Sequence, residues 1–268
     1  MEKLAFNMYC QEKSSIHFSE LPELIETEFK AKPNSEVASF FDYDIRTCSF
    51  FNRDSEGNYR FMHRSFLEFF VARKIASEIN FGSFFNLSVT SLSSEIVYFA
   101  TQMINPDCRE ILLNAILETR GKSLSESGLQ GGNALKLLVG LGQSRLEDKD
   151  FSLCTIEDVT LSSNTFKGCK FDGTKFKSVS FFSSNLEHCS IIKGHFESCR
   201  FSNSKIICGG LNETEFIETE FNRLKIIKTS MDYTKFLKCG FEDVWFTRLD
   251  MRESSFNKSN IGTRLLCK

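Results

Sequence analysis

Proline is scarce in this sequence and confined to its first part. The chain has 268 residues and only three prolines, Pro22, Pro33 and Pro106, so more than half of it contains none. Proline cannot donate a backbone N–H, and its absence over a long stretch is compatible with uninterrupted sheet hydrogen bonding. Tryptophan is also rare, with Trp245 as the single example against 29 phenylalanines. An aromatic core built from phenylalanine is therefore expected.

Long apolar runs and a strong net charge are absent as well. No stretch approaches the ~20 apolar residues that a transmembrane helix needs. The N-terminus, MEKLAFNMYC, carries polar and acidic residues where a signal peptide needs a long apolar segment. The net charge of −2 favours neither a nucleic-acid binder nor an acidic mimic. We therefore expect a protein of the reducing cytoplasm, with no membrane partner and with its ten cysteines unpaired.

The motifs of common catalytic and nucleotide-binding sites are missing too. No G-x-x-x-x-G-K-[ST] phosphate loop occurs, and GLQGGNALK (residues 128–136) has glycines without a following Lys-Ser or Lys-Thr. We interpret that segment as a loop and the start of a helix. No Ser-His-Asp, Cys-His or His-Glu-x-x-His set is present. The chain is expected not to be an enzyme, and no catalytic residue, metal ligand or cofactor of its own is assigned.

The second half of the chain carries a repeat with a period of five residues. Stepping by five from Phe151 to Leu266 meets a large apolar residue every time, without an insertion. The residue two positions earlier is usually small; the exceptions are Asn164, Leu224, Leu249 and Arg264. A helix repeats at 3.6 residues and a strand at two, so neither explains a strict five. Each unit is therefore interpreted as one side of a closed coil, with the large and the small residue pointing inward.

This pattern resembles the pentapeptide-repeat family, whose members form a right-handed, four-sided β-helix. The resemblance covers residues 151–266. Four sides of five residues give a coil of about 20 residues, so residues that far apart should stack at about the strand spacing of ~4.8 Å. Two inward columns are expected to form aromatic ladders: Ile156, Phe176, Phe196, Phe216, Phe236 and Phe256, and Phe181, Phe201, Phe221 and Phe241.

Five cysteines fall in the small inward position: Cys154, Cys169, Cys189, Cys199 and Cys239. A zinc site needs four converging ligands, usually with a close Cys-x2–4-Cys pair, and no such pair occurs here. Small core residues are the favoured interpretation, with metal binding or redox chemistry as the alternative.

The first part of the chain alternates helical and strand signals. The predicted elements are a helix at residues 2–12, a strand at Ile16–Phe18, a helix at about 20–29, a helix within residues 34–47, and a hairpin of Ser49–Arg53 with Tyr59–His63. Gly57 lies in the hairpin loop. The order helix, strand, helix, helix, hairpin predicts a winged helix.

Winged helices often bind DNA, but acidic residues argue against that use here. The third predicted helix, which would enter the groove, carries Glu36, Asp42 and Asp44 against one arginine, Arg46. A phosphate backbone would repel this helix, so nucleic acid is not expected as a partner.

The segment DIRTCSFFNRDSEGNYRFMHRSFLEFFVARKIA (residues 44–76) resembles the winged-helix end of NACHT-type STAND NTPases, the bacterial relatives of NLR proteins. The family signature is matched by Phe61, His63, Arg64, Ser65, Phe66, Glu68, Phe69 and Ala72. Predicted helices at about 92–104 and 107–119, followed by GGNALKLLVGLG, resemble the family's helical segment that leads into a sensor. Pentapeptide repeats are among the sensors that the family carries, so the resemblance spans nearly the whole chain.

The resemblance implies a role for His63. In the family, the histidine of this motif reaches the β-phosphate of ADP bound to the NACHT core and helps to hold the closed state. An imidazole can donate to a phosphate oxygen, and more strongly when it is protonated. The alternative is a histidine that caps the hairpin and meets Glu68 or a backbone carbonyl. Arg64 and Glu68 are interpreted as polar groups at a helix start, and His17, His188 and His195 as solvated surface residues.

These observations predict a multidomain α+β protein with a winged-helix domain (residues 1–63), a helical domain (64–145) and a pentapeptide-repeat β-helix (146–268). The expected function is the regulatory and sensor portion of a NACHT-type signalling NTPase in bacterial defence or another switch-type response. Its partner would be an upstream NACHT ATPase core, in the same chain or in trans, and that core would bind ADP or ATP. Because Met1 falls inside what the family has as continuous sequence, we expect a truncated product, a split gene or an excised piece.

Two alternatives from other classes remain. The first is a free-standing scaffold in which the β-helix is the working part. The second, less favoured, is a gyrase-blocking DNA mimic, which needs a strongly acidic rod. Residues 151–268 instead carry more lysine and arginine than aspartate and glutamate.

One outward column of the expected β-helix reads Asn185, Lys205, Lys225 and Trp245. Trp245 directly precedes the inward Phe246 and is therefore expected to face solvent, beside Ile207 and Ile227 on adjacent coils. An exposed aromatic residue with apolar and basic neighbours is a candidate contact surface for an unknown protein ligand. The alternative is a tryptophan folded over the corner of the rod.

Overall fold

The computed structural model describes residues 1–20 and 50–261 in full and the backbone of residues 265–267. The chain divides into two compact units, residues 1–81 with 92–105 and residues 82–91 with 106–268. Within the described residues no helix is both long enough and apolar enough to cross a membrane. The domain boundaries predicted after residues 63 and 145 stay a prediction.

The first unit begins with a helix and a small antiparallel sheet. Its elements are α1 (Glu2–Cys10), β1 (Ile16–His17), a 3-10 turn (Phe18–Glu20), β2 (Phe51–Arg53) and β3 (Asn58–Phe61). The strand order is β1-β3-β2. The predicted hairpin is confirmed, and its loop residue Gly57 has a φ of 92°, which favours glycine. The helices predicted near residues 20–29 and within 34–47 lie outside the described residues, so the winged helix stays a prediction.

Helix α2 (Arg64–Asn80) begins directly after His63, as the sequence predicts. Its buried residues, among them Phe70, Val71 and Ile75, lie in the core that it shares with α1 and with α3 (Ser94–Met103). Ser93 caps α3, because its hydroxyl accepts a hydrogen bond from the Ile96 N–H at 3.3 Å. The helix predicted at about 92–104 is therefore confirmed.

The second unit opens with three further helices. They are α4 (Arg109–Leu117), α5 (Leu124–Ser127) and α6 (Gln130–Gly140), and a 3-10 turn (Pro106–Cys108) precedes the first of them. The helix predicted at about 107–119 corresponds to this turn and α4. The segment GLQGGNALK does start a helix, as interpreted, since α6 begins at Gln130.

The rest of the second unit is a parallel β-solenoid of short strands. Sheet I contains β4 (Arg145–Glu147), β7 (Thr165–Lys167), β10 (Asn185–Glu187), β13 (Lys205–Ile207), β16 (Lys225–Ile227), β19 (Val244–Thr247) and β22 (Leu265–Cys267). Sheet II contains β5 (Thr155–Glu157), β8 (Lys175–Lys177), β11 (His195–Glu197), β14 (Glu215–Ile217), β17 (Lys235–Leu237) and β20 (Ser255–Asn257). Sheet III contains β6 (Thr160–Ser162), β9 (Ser180–Phe182), β12 (Arg200–Ser202), β15 (Glu220–Asn222), β18 (Gly240–Glu242) and β21 (Asn260–Ile261).

The fourth side of the solenoid is a ladder of single bridges rather than a sheet. Parallel bridges join Asp150, Lys170, Ser190, Gly210, Ser230 and Asp250 in that order. Three sheets and this ladder give four sides, and every pairing except that of β22 joins residues 20 positions apart, as between Phe196 and Phe216. The predicted fold class is confirmed in this form: an N-terminal region with helices, followed by a parallel solenoid of about six coils.

The predicted register fails at one point, the last strand. Phe241 pairs with Ile261 in the 20-residue register, but Phe246 pairs with Cys267 and Trp245 with Leu266. Leu266 was expected to stack on Phe246 and is displaced by one residue. The sequence offers a reason, because Arg264, two residues before Leu266, breaks the pattern of small residues that fixes the inward register.

The solenoid core is made of two aromatic ladders, as predicted. Along sheet II, Phe176 and Phe196 stack at 4.6 Å between ring centroids, and Phe196 and Phe216 at 4.8 Å. Along sheet III, Phe181 and Phe201 stack at 4.6 Å. The ladders meet edge to face, with centroids 5.3 Å apart for Phe216 and Phe221, a favourable arrangement for aromatic rings.

The small inward position is a hydrogen-bonding position as well as a small one. The Thr174 hydroxyl donates to the Phe151 carbonyl at 2.7 Å, and the Ser184 hydroxyl to the Leu161 carbonyl at 3.1 Å. The Cys199 thiol donates to the Phe176 carbonyl at 3.5 Å. Hydroxyl and thiol side chains are therefore satisfied inside the coil, which explains why Ser, Thr and Cys share this position.

Each corner between sides contains a residue in the left-handed backbone conformation. Every fifth residue from Asp148 to Lys258 has a φ between 50° and 65°. Only Gly168 and Gly173 among them are glycines, and none is Val, Ile or Thr, for which this conformation is strongly unfavourable. The corner thus restricts the sequence independently of the core.

The first coil is covered by α6. A Cβ added to Gly131 would lie 2.1 Å from the Thr155 carbonyl oxygen, and one added to Gly132 would lie 1.8 Å from that of Glu157. The two glycines let the helix backbone approach β5 closely. The Thr155 N–H, at the edge of sheet II, donates to the Thr119 hydroxyl at 2.9 Å. The helix and its neighbours thereby protect an edge that would otherwise be open to pairing.

Two adjacent phenylalanines test the inward register. Phe181 is 2% exposed and Phe182 is 48% exposed. Phe181→Asp should lower the free energy of unfolding by at least ~3 kcal/mol, because it removes a ladder ring and buries a carboxylate. Phe182→Asp should change it by less than ~1 kcal/mol. Urea denaturation of both variants checks this, and equal losses of stability would contradict the register.

Two adjacent exposed serines test the corner. Ser163 has a φ of 58°, and Ser162 precedes it in β6. Ser163→Val should destabilise the protein by about 1–3 kcal/mol, because valine resists this conformation. Ser162→Val should be neutral or slightly stabilising, since valine suits a strand. Thermal unfolding of the two variants provides the measurement, and a Ser163→Val variant as stable as Ser162→Val would show that the corner is not restrictive.

Candidate functional site

Three consecutive strands of sheet I present the predicted contact residues on one outer face. Lys205 pairs with Lys225, and Lys225 pairs with Trp245, so these three stack across β13, β16 and β19. Ile207 pairs with Ile227 in the neighbouring column. We call this set, together with Lys228 and Arg248, the basic–apolar face. The structure therefore brings all five sequence-predicted contact residues together.

Lys228 and Arg248 are additions that the sequence reasoning missed. Lys228 follows Ile227 at the corner after β16, and Arg248 occupies the same corner one coil later. Both side chains are exposed. The five-residue period could have identified them. Corner residues also recur every 20 positions, and they lie beside the outward columns.

The Trp245 side chain is neither fully exposed to solvent nor fully buried. Its side chain is half-buried, and the Lys225 ammonium lies over the indole ring, 5.3 Å from its centroid. This cation–π contact explains part of the burial. The expectation that Trp245 faces outward agrees with its pairing, while its exposure is reduced by the lysine beside it.

Charges are arranged differently on sheet II. There Lys235 and Glu215 form an ion pair at 2.9 Å, and the His195 imidazole lies 3.6 Å from the same carboxylate. Lys193 pairs with Glu213 at 3.6 Å, and Tyr233 completes the lining of a shallow groove. The hydrogen bond that the Lys235 ammonium donates holds the pKa of the Glu215 carboxyl below its usual value, and the charge of Lys235 adds to this effect. This groove neutralises its own charges and offers no net attraction to an ion.

His63 occupies an exposed position in the first unit. It precedes α2 in an extended conformation, with φ −133° and ψ 144°, and its side chain makes no capping hydrogen bond. Its ring lies 6.1 Å from that of Phe66. Within the described residues no carbonyl or carboxylate bonds its imidazole. The alternative role for His63, a cap of the hairpin, needs a hydrogen-bond partner. The described residues include no such partner.

Glu68 and Arg64 form a local pair on α2. The Arg64 Nε donates to Glu68 at 3.0 Å, and the carboxylate is buried while the guanidinium is largely exposed. This i,i+4 contact gives the buried Glu68 carboxylate an ionic partner on its own helix. Of the other histidines, His188 is exposed, whereas His17 is half-buried and bonds Ser19 at 2.6 Å.

The five inward cysteines are buried in the solenoid, as interpreted. Burial raises the pKa of the Cys189 and Cys199 thiols to about 12, and it also raises the pKa of Cys154, Cys169 and Cys239. Since the thiolate is the reactive form, these thiols are poor nucleophiles and poor metal ligands. The described residues contain no group of three or more His, Cys, Asp or Glu placed to hold a metal ion.

No family model matches the chain. A curated relative is an uncharacterized WD repeat-containing protein of Nostoc sp. (strain PCC 7120), with 26% identity over 204 aligned residues. The match takes in 56% of this chain and only 13% of that protein, so the chain corresponds to a small part of its relative.

Solved structures that resemble part of the chain include the following three. Rfr23, a pentapeptide repeat protein of the cyanobacterium Cyanothece 51142, gives a TM-score of 0.28 at 6% identity, over 49% of this chain and 97% of that one. Trypsin-treated QnrB1, a plasmid-mediated fluoroquinolone resistance protein, gives 0.20 at 11% identity, over 44% and 82%. HetL, a pentapeptide repeat protein involved in heterocyst differentiation regulation in Nostoc sp. strain PCC 7120, gives 0.13 at 6% identity, over 43% and 84%. The C-terminal region is a pentapeptide-repeat β-solenoid, and these likenesses carry no argument about function.

Thiol labelling tests the assignment of the cysteines to the core. At mildly alkaline pH, an alkylating reagent should label the half-exposed Cys208 in the native protein and leave Cys189 and Cys199 unmodified. All should react in denaturant. Mass spectrometry of the labelled peptides gives the measurement. Native labelling of Cys189 as fast as that of Cys208 would show that the inward position is open to solvent.

Proposed function

We propose that this chain is the regulatory and sensor portion of a NACHT-type signalling NTPase and does no catalysis itself. In this proposal the N-terminal region provides a nucleotide-sensing contact, and the solenoid recognises a protein partner. The setting is bacterial antiviral defence or another switch-type response. The observation that carries the proposal is the exposed imidazole of His63, which stands without a described partner at the start of α2, inside the motif where the family has its phosphate-contacting histidine.

The geometry around His63 suits a contact made with another protein surface. The residue ends an extended segment and begins a helix whose opposite side is buried, so the imidazole is held on a rigid element. Arg64 is engaged by Glu68 and keeps its guanidinium exposed beside it. An exposed imidazole on such an element can donate one hydrogen bond to a phosphate oxygen presented by a neighbouring core.

The same arrangement supports a role that is regulatory rather than catalytic. A phosphoryl-transfer site needs a cradle of backbone N–H groups and ligands for Mg²⁺ in addition to a histidine. The sequence has no phosphate-loop motif. In the proposal, ADP or ATP is bound by the upstream NACHT core, in cis or in trans. One histidine is enough to shift the balance between the nucleotide-bound states of that core. The N-terminal hairpin and the adjoining β1 support the winged-helix assignment on which this role depends.

The comparison with the Nostoc protein supports a multidomain setting. A stretch similar to this chain occurs within a much longer repeat-containing protein, of which it takes up 13%. Association of such a segment with further repeats or with an NTPase core is the arrangement that the proposal requires. Pentapeptide and WD repeats are both arrays that present extended binding surfaces.

A free-standing binding scaffold is the second candidate, and the basic–apolar face favours it as much as the first. That face would serve partner recognition whether or not an NTPase core is attached. The DNA-mimic alternative has less support, because a mimic of the phosphate backbone must present carboxylates, whereas this face presents lysine and arginine.

A substitution at His63 tests the proposal. In a protein that joins this chain to a NACHT core, His63→Leu should speed ADP release about 10- to 100-fold, the value of one charge-assisted hydrogen bond. The melting temperature should stay unchanged, because the side chain is exposed and unbonded among the described residues. Stopped-flow release of a fluorescent ADP analogue measures the rate, and thermal unfolding measures the stability.

His188→Leu is the matched control, since His188 is also exposed but lies at a corner of the solenoid. Leucine is compatible with a corner position, because Leu153 occupies another corner. The His188→Leu variant should leave ADP release unchanged. Equal release rates for wild type and His63→Leu, or a lower melting temperature with unchanged release, would contradict the nucleotide-sensing role. ATP turnover by the purified 268-residue chain would overturn its non-catalytic assignment.

A further inference from the structure

The basic–apolar face differs from the rest of the solenoid surface in how its charges stack. Elsewhere, most charged residues 20 positions apart carry opposite charges, and several of them pair: Arg200 with Glu220 at 2.9 Å, and Lys238 with Glu218 at 2.9 Å. Lys177 and Glu157 are 3.7 Å apart in the same way. Such pairs add a modest stabilisation between coils and leave the surface nearly neutral.

On the basic–apolar face, like charges stack instead. Lys205 is directly paired with Lys225, and Lys228 and Arg248 occupy one corner on successive coils. Among the described residues, no carboxylate forms an ion pair with any of these four cations. Like charges one coil apart, about 4.8 Å between backbones, repel one another and weaken the stack. An external anion would relieve this repulsion, so the face has an electrostatic preference for an acidic ligand.

An apolar row runs beside the cations. Ile207 and Ile227 are paired, half-buried, and lie two residues along their strands from Lys205 and Lys225. Side chains at i and i+2 share one face of a strand, so the two rows run side by side about 7 Å apart. Trp245 ends the lysine row, with the Lys225 ammonium over its ring. The face therefore offers a charged row and an apolar row in parallel.

We propose that the basic–apolar face binds an acidic amphipathic segment of a protein partner. Its carboxylates would lie over Lys205, Lys225 and the corner cations, and its apolar side chains over the isoleucine pair and the indole. A nucleic acid would satisfy the cations but presents little aliphatic surface to set against Ile207 and Ile227, so the apolar row favours a protein ligand. This inference rests on the proposed role of the solenoid in partner recognition.

Trp245 supplies an internal reporter, because it is the only tryptophan in the chain. The full chain is titrated with a synthetic helical peptide that carries glutamate along one face and leucine along the other, with an all-glutamate peptide of equal length, and with oligothymidylate of equal charge. The Glu/Leu peptide should shift the tryptophan emission and bind at least about tenfold more tightly than the all-glutamate peptide, because only it covers the apolar row. Affinity should fall as salt is raised.

Lys225→Glu should weaken binding of the Glu/Leu peptide about tenfold or more, because it places a carboxylate at the centre of the lysine row. Lys258→Glu is the matched control. Lys258 is exposed and follows Lys238 in its column, but it lies at the corner after β20 of sheet II, away from the basic–apolar face, and Lys238 is paired with Glu218. This control should bind like wild type, and circular dichroism shows whether both variants fold.

Three outcomes would overturn the inference. They are tighter binding of oligothymidylate than of the Glu/Leu peptide, binding of no probe at low salt, and peptide binding that Lys225→Glu leaves unchanged. None of these involves nucleotide, so they leave the ADP-release result of His63→Leu untouched. Conversely, loss of the His63 effect with intact peptide binding would remove the NTPase assignment and retain the acidic-peptide face on a free-standing scaffold.

Discussion

Closure of each coil after four five-residue sides is the constraint on which the solenoid depends. A side ends with a corner residue at a φ between 50° and 65°, and the next side begins with a small inward residue that hydrogen-bonds the preceding coil. The large inward residue then stacks on its equivalent 20 positions away, as Phe196 does on Phe216. An inserted residue would shift every later side chain off its column, and among the described residues such a shift occurs only at the last strand, β22.

Outward-facing residues are not restricted by the closure of the coil. Their identities can therefore be set by function. Outward positions of sheet II are occupied by pairs such as Lys235 with Glu215, which neutralise one another. Outward positions of sheet I place Lys205 on Lys225 without a carboxylate, beside the isoleucine row. The core does not require this difference, because both sheets place one large apolar residue inward on each strand and leave its two neighbours outside. The acidic ligand that we propose would relieve the repulsion between these stacked cations, on the kind of extended surface that repeat scaffolds use for binding.

The sequence was sufficient to predict the features that follow from the five-residue period. It was not sufficient to predict contacts between particular side chains, or between elements far apart in the chain. The five-residue step located both aromatic ladders and the stacking of Lys225 on Lys205, because stacking follows from counting alone. It could not predict that Lys225 would lie over Trp245 and half-bury it, since that depends on rotamers. The sequence also could not show why residues 131 and 132 are glycines. The reason is that the carbonyl oxygens of β5 lie too close to the helix to leave room for a Cβ at either position. The shift at Leu266 was signalled only by Arg264, one exception among several.

Disulfide formation across neighbouring coils tests the 20-residue stack most directly. Ser202 and Asn222 are paired on the outer face of sheet III, with backbones about 4.8 Å apart, within the span of a disulfide. Ser202→Cys combined with Asn222→Cys should form a bond under mild oxidation, detected by mass. Ser202→Cys combined with Glu220→Cys should not, because that diagonal is about 7–8 Å or longer. A bridge in the second variant, or reduced thiols in the first, would contradict the stacked four-sided solenoid.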